Sequence, residues 1–233
     1  MTVESRKVVG VLGGMGPEAT VNFIATVVAL TPATRDQDHV RMIIDHNPGV
    51  PDRQSSDPEN KLAIRRSLVA MALRLEAAGA DFLVMPCNTA HAFADSARNA
   101  VSVPFLDIIE ESVKFVARDI ERVGILATTT CITGESYQRS LSAQGHTPVL
   151  PDERQQARMM KLIYSIKTGD KGESVRREMA EVAHGLVERG AQTVIAACTE
   201  IPLVLDTSSI AVPIVSSVDA LAKRTIEIAT TVL

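Results

Sequence analysis

Apolar residues along the chain fall into two patterns that alternate from one end to the other. Short apolar runs at residues 8–12, 40–45, 82–85, 123–126 and 193–197 have the length and continuity of strands buried on both faces. Briefer runs at 103–107, 147–150 and 212–215 read the same way. Between them, apolar residues recur at helical spacing, as Ile64, Leu68, Met71 and Leu75 do. The spacing predicts helices over 17–30, 58–78, 89–99, 108–120, 133–144, 153–167, 174–189 and 217–231. Asp57-Pro58 is an N-cap followed by a first-turn proline, and Gly79 stops that helix. Asp152 caps a later helix, which Gly169-Asp170 breaks. Buried strands alternating with helices predict parallel α/β sheets.

One unit of this pattern occurs twice. Cys87 follows the run at 82–85 across Pro86, and Cys198 follows the run at 193–197, 111 positions later (198 − 87). The same offset carries Ile64, Leu68, Met71 and Leu75 onto Val175, Met179, Val182 and Leu186. It also carries Gly79-Ala80 onto Gly190-Ala191 and Arg65-Arg66 onto Arg176-Arg177. An offset of 114 carries Val9-Gly10-Val11-Leu12 onto Val123-Gly124-Ile125-Leu126 (123 − 9). Val103-Pro104-Phe105-Leu106 is mirrored by Val212-Pro213-Ile214-Val215. The chain reads as an internal duplication, or a convergence to the same effect. The expected architecture is α/β, with two pseudo-symmetric domains, each a parallel sheet flanked by helices, and an active site in the cleft between them. Expected boundaries are 1–107 and 212–233 for the first domain and 108–211 for the second, the terminal helix folding back on the first.

Composition narrows the setting. A hydrophobic content of 45% against 22% charged is ordinary for a globular protein. The net charge of −4 leaves no basic footprint for nucleic acid. No apolar run is long enough for a membrane span. Residues 1–7 are polar and lack the apolar core of a signal peptide. Three cysteines make no disulfide framework, so a reducing cytoplasm is expected, with all three as thiols. Few aromatics and no Trp disfavour surfaces that stack bases or sugars.

Candidate chemistry gathers at the carboxyl ends of the strands, where open parallel sheets bind their ligands. Gly13-Gly14-Met15-Gly16-Pro17 follows the first strand. It can be an anion-gripping loop or simply a tight turn. It is not a dinucleotide fingerprint, because Glu18 stands where the third glycine belongs. Arg53, in the loop after the second strand, suits a bidentate grip on a carboxylate, against the plainer reading of a solvated arginine. Thr128-Thr129-Thr130 replaces the glycine turn in the second unit. A lone cysteine at a strand end is most often an inert buried thiol. Two at equivalent sites, each beside a fresh helix start whose dipole stabilises a thiolate, point to chemistry. A redox or disulfide pair is one use. An acid–base pair on opposite faces of one carbon is another: a thiolate takes a proton, the opposite thiol returns one, and the centre inverts. Asn88, Thr89 and Thr199 would hold substrate polar groups. Cys131 has no counterpart and reads as structural. His91 can tune Cys87 or serve the fold, and Glu200 can orient a ligand or merely meet the helix start.

Gly13 to Thr20, Pro86-Cys87-Asn88-Thr89-Ala90-His91 and Cys198-Thr199-Glu200-Ile201 resemble the signatures of cofactor-independent aspartate racemases, of the aspartate/glutamate/hydantoin racemase superfamily. The resemblance spans most of the chain. It implies a homodimer of two-domain α/β subunits that interconverts L- and D-aspartate through Cys87 and Cys198, with neither pyridoxal phosphate nor metal. It implies that Arg53 and Lys167 hold the side-chain carboxylate of a small dicarboxylic amino acid, with Met15, Asn88, Thr89, Thr128 and Thr199 completing the substrate site. Thr128-Thr129-Thr130-Cys131 departs from the Thr-Thr-Gly-Thr that relatives often carry. Glutamate stays open as a substrate, because one methylene is a small difference in pocket depth. The alternatives are a relative acting on another small dicarboxylate as isomerase or decarboxylase, and a dicarboxylate-binding protein without turnover. The presence of both cysteines favours racemisation.

Overall fold

The computed structural model describes residues 6–205 and 207–231; residues 1–5 of the polar N-terminal stretch lie outside it. The chain forms two compact units, one running to Ile108 and resuming at Val218, the other spanning Ile109–Ser217. No helix among the described residues is long and apolar enough to cross a membrane.

The first unit contains β1 (Val9–Gly13), α1 (Pro17–Leu30), β2 (Met42–His46), α2 (Pro58–Ala77), β3 (Phe82–Val84) and α3 (Ala94–Arg98). Its strands are parallel in the order β2-β1-β3. The strand expected at 103–107 is reduced to a single parallel bridge between Phe105 and Leu83. Pro104 has no N–H with which to lengthen that ladder. The helix expected at 89–99 is a 3-10 turn, Thr89–Phe93, followed by α3. Helix α4 (Ile108–Lys114) then leads into the second unit and stops short of residue 120.

The second unit contains β4 (Arg122–Ala127), α5 (Thr129–Thr133), α6 (Ser136–Ala143), β5 (Thr147–Val149), α7 (Glu153–Lys167), α8 (Glu173–Glu188), β6 (Thr193–Ala197) and β7 (Ile214–Ser216). The helix expected at 133–144 is two helices, α5 and α6, divided at Glu135, which has φ 56°. The strand order is β5-β4-β6-β7, again all parallel. Because β7 pairs with β6, the return expected at residue 212 comes instead at Val218, early in α9 (Ser217–Thr230).

The pairing register repeats the offsets in the sequence. Val9, Gly10 and Val11 pair with Phe82, Leu83 and Val84, while Val123, Gly124 and Ile125 pair with Thr193, Val194 and Ile195. Helices α2 and α8 bury the 4-3-4 faces read from the sequence; Ile64, Leu68 and Met71 lie in one core, and Met179, Val182 and Leu186 in the other. Both helices end alike. The Gly79 N–H donates to Glu76 C=O at 2.9 Å and Ala80 N–H to Leu75 C=O at 3.1 Å, with Gly79 at φ 92°. The Gly190 and Ala191 N–H groups do the same to Val187 and Leu186 at 2.8 and 3.0 Å, with Gly190 at φ 90°. These are Schellman stops, and they turn each chain straight into its next strand.

Each helix also lies hard against a glycine of the neighbouring strand. A Cβ at Gly10 would stand 2.5 Å from Leu83 Cδ2, 2.9 Å from Ala80 Cβ and 3.1 Å from Leu75 Cβ. A Cβ at Gly124 would meet the equivalent residues, Leu186, Val194 and Ala191, at 3.1, 3.1 and 3.2 Å. The same contact is looser in the second unit. Gly10→Ala is therefore expected to destabilise by about 1–3 kcal/mol through overpacking. For Gly124→Ala, the entropy that alanine removes from the unfolded chain should keep the net change within about 1 kcal/mol. Urea unfolding of the two variants checks the difference; equal losses would count against it.

Candidate active site

In the first unit, the turn after β1 is built on Gly14. Its φ is 92°, and a Cβ there would stand 2.4 Å from the Asn47 carbonyl carbon. Glycine is required on both counts. The Gly14 N–H donates to Thr20 Oγ1 at 2.8 Å, and that hydroxyl donates to Gly16 C=O at 3.0 Å. The turn thus uses its first donor internally, as a tight βα turn does. The Met15 side chain is buried in the first core.

Asn47 N–H donates to Gly13 C=O at 3.1 Å and ties the loop after β2 to this turn. Val50 is buried in that loop, and Arg53 folds back onto it. Arg53 Nη1 donates to the carbonyls of Val50 at 3.1 Å and Pro51 at 3.0 Å. The half-buried guanidinium is anchored at the strand-end side of the sheet, unlike a free surface arginine.

Past β3, Cys87, Asn88 and Thr89 are all buried. His91 fixes this corner. Its Nε2 accepts the Ile108 N–H at 3.3 Å, which assigns the ring proton to Nδ1, and Nδ1 donates to Cys87 C=O at 2.8 Å. The ring meets Phe105 edge-on, with centroids 6.1 Å apart. Both ring nitrogens therefore serve the backbone, so His91 positions the peptide of Cys87 and does not act on the thiol directly.

In the second unit, Thr128 follows β4, and its Oγ1 caps α5 by accepting the Cys131 N–H at 3.4 Å. Gln156 of α7 braces the same corner, its Nε2 donating to Ala127 C=O at 3.0 Å and Thr129 Oγ1 at 3.2 Å. Lys167 reaches the strand-end side by another route. It is the last residue of α7, the 15-residue helix that follows β5. Lys167 Nζ ends 3.7 Å from Glu200 Oε1.

Past β6, Cys198, Thr199 and Glu200 are 4%, 1% and 4% exposed, so their polar atoms must satisfy one another. The Cys198 thiol donates to Glu200 Oε2 at 3.0 Å, and Thr199 Oγ1 donates to the same oxygen at 3.2 Å. Burial pushes the Cys198 thiol well above its ordinary range; the charge and hydrogen bond of Glu200 add to this, and Lys167 acts against it. The helical turn that follows Cys198 is the 3-10 turn Ile201–Leu203, and the carboxylate of Glu200 accepts a hydrogen bond from the thiol.

Within the first unit, Met15, Arg53, Cys87, Asn88 and Thr89 all follow the carboxyl ends of parallel strands. Within the second, Cys198 and Thr199 are joined to Lys167 through Glu200, and Thr128 follows the neighbouring strand. Glu200 and His91 hold the structure of the two corners, which sequence reasoning left open. All three cysteines are free thiols. Among the described residues, no group of three or more His, Cys, Asp and Glu is arranged to hold a metal ion.

Comparison with known proteins agrees with this construction. The model of the Asp/Glu/hydantoin racemase family matches residues 12–225. The broad specificity amino-acid racemase RacX of Bacillus subtilis is 33% identical over 224 residues, covering 94% of this chain and 96% of that protein. The solved Picrophilus torridus aspartate racemase has a TM-score of 0.85 at 31% identity, over 96% of this chain and 94% of that one. The glutamate racemase of Francisella tularensis, solved with D-glutamate, shares the fold at a TM-score of 0.70 and 18% identity, over 97% of this chain and 81% of that one. Two parallel sheets of one register, with a thiol past the third strand of each, are the frame of an isomerase: the chain belongs to the Asp/Glu/hydantoin racemase family and is an amino-acid racemase.

Proposed function

We propose that the enzyme interconverts L- and D-aspartate without a cofactor, using Cys87 and Cys198 as its acid–base pair. The observation that carries this reading is their equivalence. Each thiol stands just past the third strand of a parallel sheet, and the two sheets share strand pairing and register. Racemisation has the same symmetry, since a proton leaves one face of a carbon and another arrives at the opposite face. One thiolate takes the α-proton, the electron pair stays on carbon, and the opposite thiol delivers its proton there.

Arg53 and Lys167 bind the distal carboxylate, and Met15, Asn88, Thr89, Thr128 and Thr199 surround the amino and α-carboxyl groups. The anchoring of Arg53 by Val50 and Pro51, and the pairing of Lys167 with the carboxylate of Glu200, support these roles. The Picrophilus relative is an aspartate racemase, whereas the Bacillus relative is of broad specificity, so glutamate and other amino acids are the competing substrates. A homodimer in a reducing cytoplasm completes the reading; Val21, Val28 and Leu30 on α1 leave apolar surface available for a partner copy.

The proton traffic is testable from one pure enantiomer in deuterated water, stopped early. The product should carry α-deuterium, because the donor thiol exchanges with solvent, while unreacted substrate stays protiated. Comparable early deuteration of both would mean a single base. Cys87→Ser and Cys198→Ser should each cut the racemisation kcat by about a thousandfold, since a hydroxyl is a poor stand-in for a thiol; near-normal racemisation by either would remove the two-thiol reading. Arg53→Ala should raise KM for aspartate about tenfold and also lower kcat, because a misplaced α-carbon transfers its proton poorly. Unchanged kinetics would return Arg53 to a purely structural part.

A further inference from the structure

The two corners share a frame but differ in chemistry. The residue 111 positions before Glu200 is Thr89, so Cys87 has a hydroxyl two residues on where Cys198 has a carboxylate. At Cys198 the geometry is closed. Two donors, the thiol at 3.0 Å and the Thr199 hydroxyl at 3.2 Å, converge on Glu200 Oε2. Glu200 Oε1 is buried without a hydrogen bond and faces the Lys167 ammonium at 3.7 Å. This is the surrounding of a buried carboxylate that accepts protons in hydrogen bonds and has one cation to offset it.

We infer that Glu200 is a positioning residue for Cys198, holding this cysteine at rest in its proton-bearing form, ready to donate. The inference rests on Cys198 being one of the reacting thiols, as proposed above. A thiolate 3.0 Å from a carboxylate would place two negative charges together in a buried site, so the S–H form is favoured. Donation breaks the Sγ–H bond, sends the proton to the α-carbon and leaves the electron pair on sulfur. The thiolate left beside Glu200 is then a strong base, as the reverse direction requires at that face. Lys167 limits the accumulated charge. Of the charged groups packed about this sulfur, Glu200 comes from the loop after β6 and Lys167 from the end of α7, and they act in opposite senses.

The test titrates the ultraviolet absorbance of the thiolate in protein whose Cys87 and Cys131 are replaced by serine, leaving Cys198 alone. Glu200→Gln keeps the shape and removes the charge. Its midpoint should fall by about one pH unit or more, because the like charge that opposed the thiolate is gone. Glu200→Asp should stay near the parent, and Lys167→Met should move the midpoint upward. In the three-cysteine enzyme, Glu200→Gln should shift the basic limb of kcat/KM to lower pH in step with the titration. The shift must be the same for both enantiomers, since mirror images are equal in free energy. An unmoved midpoint in Glu200→Gln and Lys167→Met, or lost activity with an unmoved pH profile, overturns the inference. Racemisation that survives Cys198→Ser would instead remove the two-thiol reading while leaving a midpoint shift in place, so the two failures are distinguishable.

Discussion

In each sheet a helix presses its last turn onto a strand glycine, and the positions of the thiols depend on that contact. Leu75 and Ala80 bear on Gly10, and Leu186 and Ala191 bear on Gly124. No side chain larger than hydrogen leaves room for this approach in the first unit, where the contacts are tightest. From the contact onward the chain has little freedom. A Schellman stop at Gly79 or Gly190 turns it into a buried strand, and the strand delivers a cysteine eight residues after the glycine (87 − 79 and 198 − 190). Packing between helix and sheet thereby becomes placement of sulfur at the carboxyl edge, where parallel sheets expose their loops.

On these equal frames the surroundings are unequal. Past β3, His91 bridges Cys87 C=O and Ile108 N–H, and past β1, Thr20 closes the Gly14 turn. Past β6 a side chain carboxylate meets the sulfur itself, and a lysine from α7 offsets it. Two positions after each cysteine, on the same frame, the first unit has Thr89 and the second Glu200.

The second unit reaches its corner by a different path from the first. Arg53 arrives in the loop directly after β2, held by the carbonyls of Val50 and Pro51. Lys167 arrives at the end of a full helix, which a capping box at Asp152 and Gln155 starts. The two cations thus come from structurally different places, and this feature does not repeat between the units.

Much of this was written in local pattern. Continuous apolar runs, helical periods, stop glycines and proline punctuation act over a few residues, so they are readable without the fold. They sufficed for the two parallel sheets, the equivalent register and the strand-end positions of Cys87, Arg53 and Cys198. The tertiary structure decided what depends on distance through space. It assigned β7 to the second sheet because pairing with β6 was available, moving the return of the chain to Val218. It gave His91 to the backbone, brought Lys167 to Glu200, and placed the buried Cys198 thiol in a hydrogen bond to a carboxylate. Burial and the charge of a neighbour reached by folding set a thiol's proton affinity, and neither is a property of the residues on either side of it.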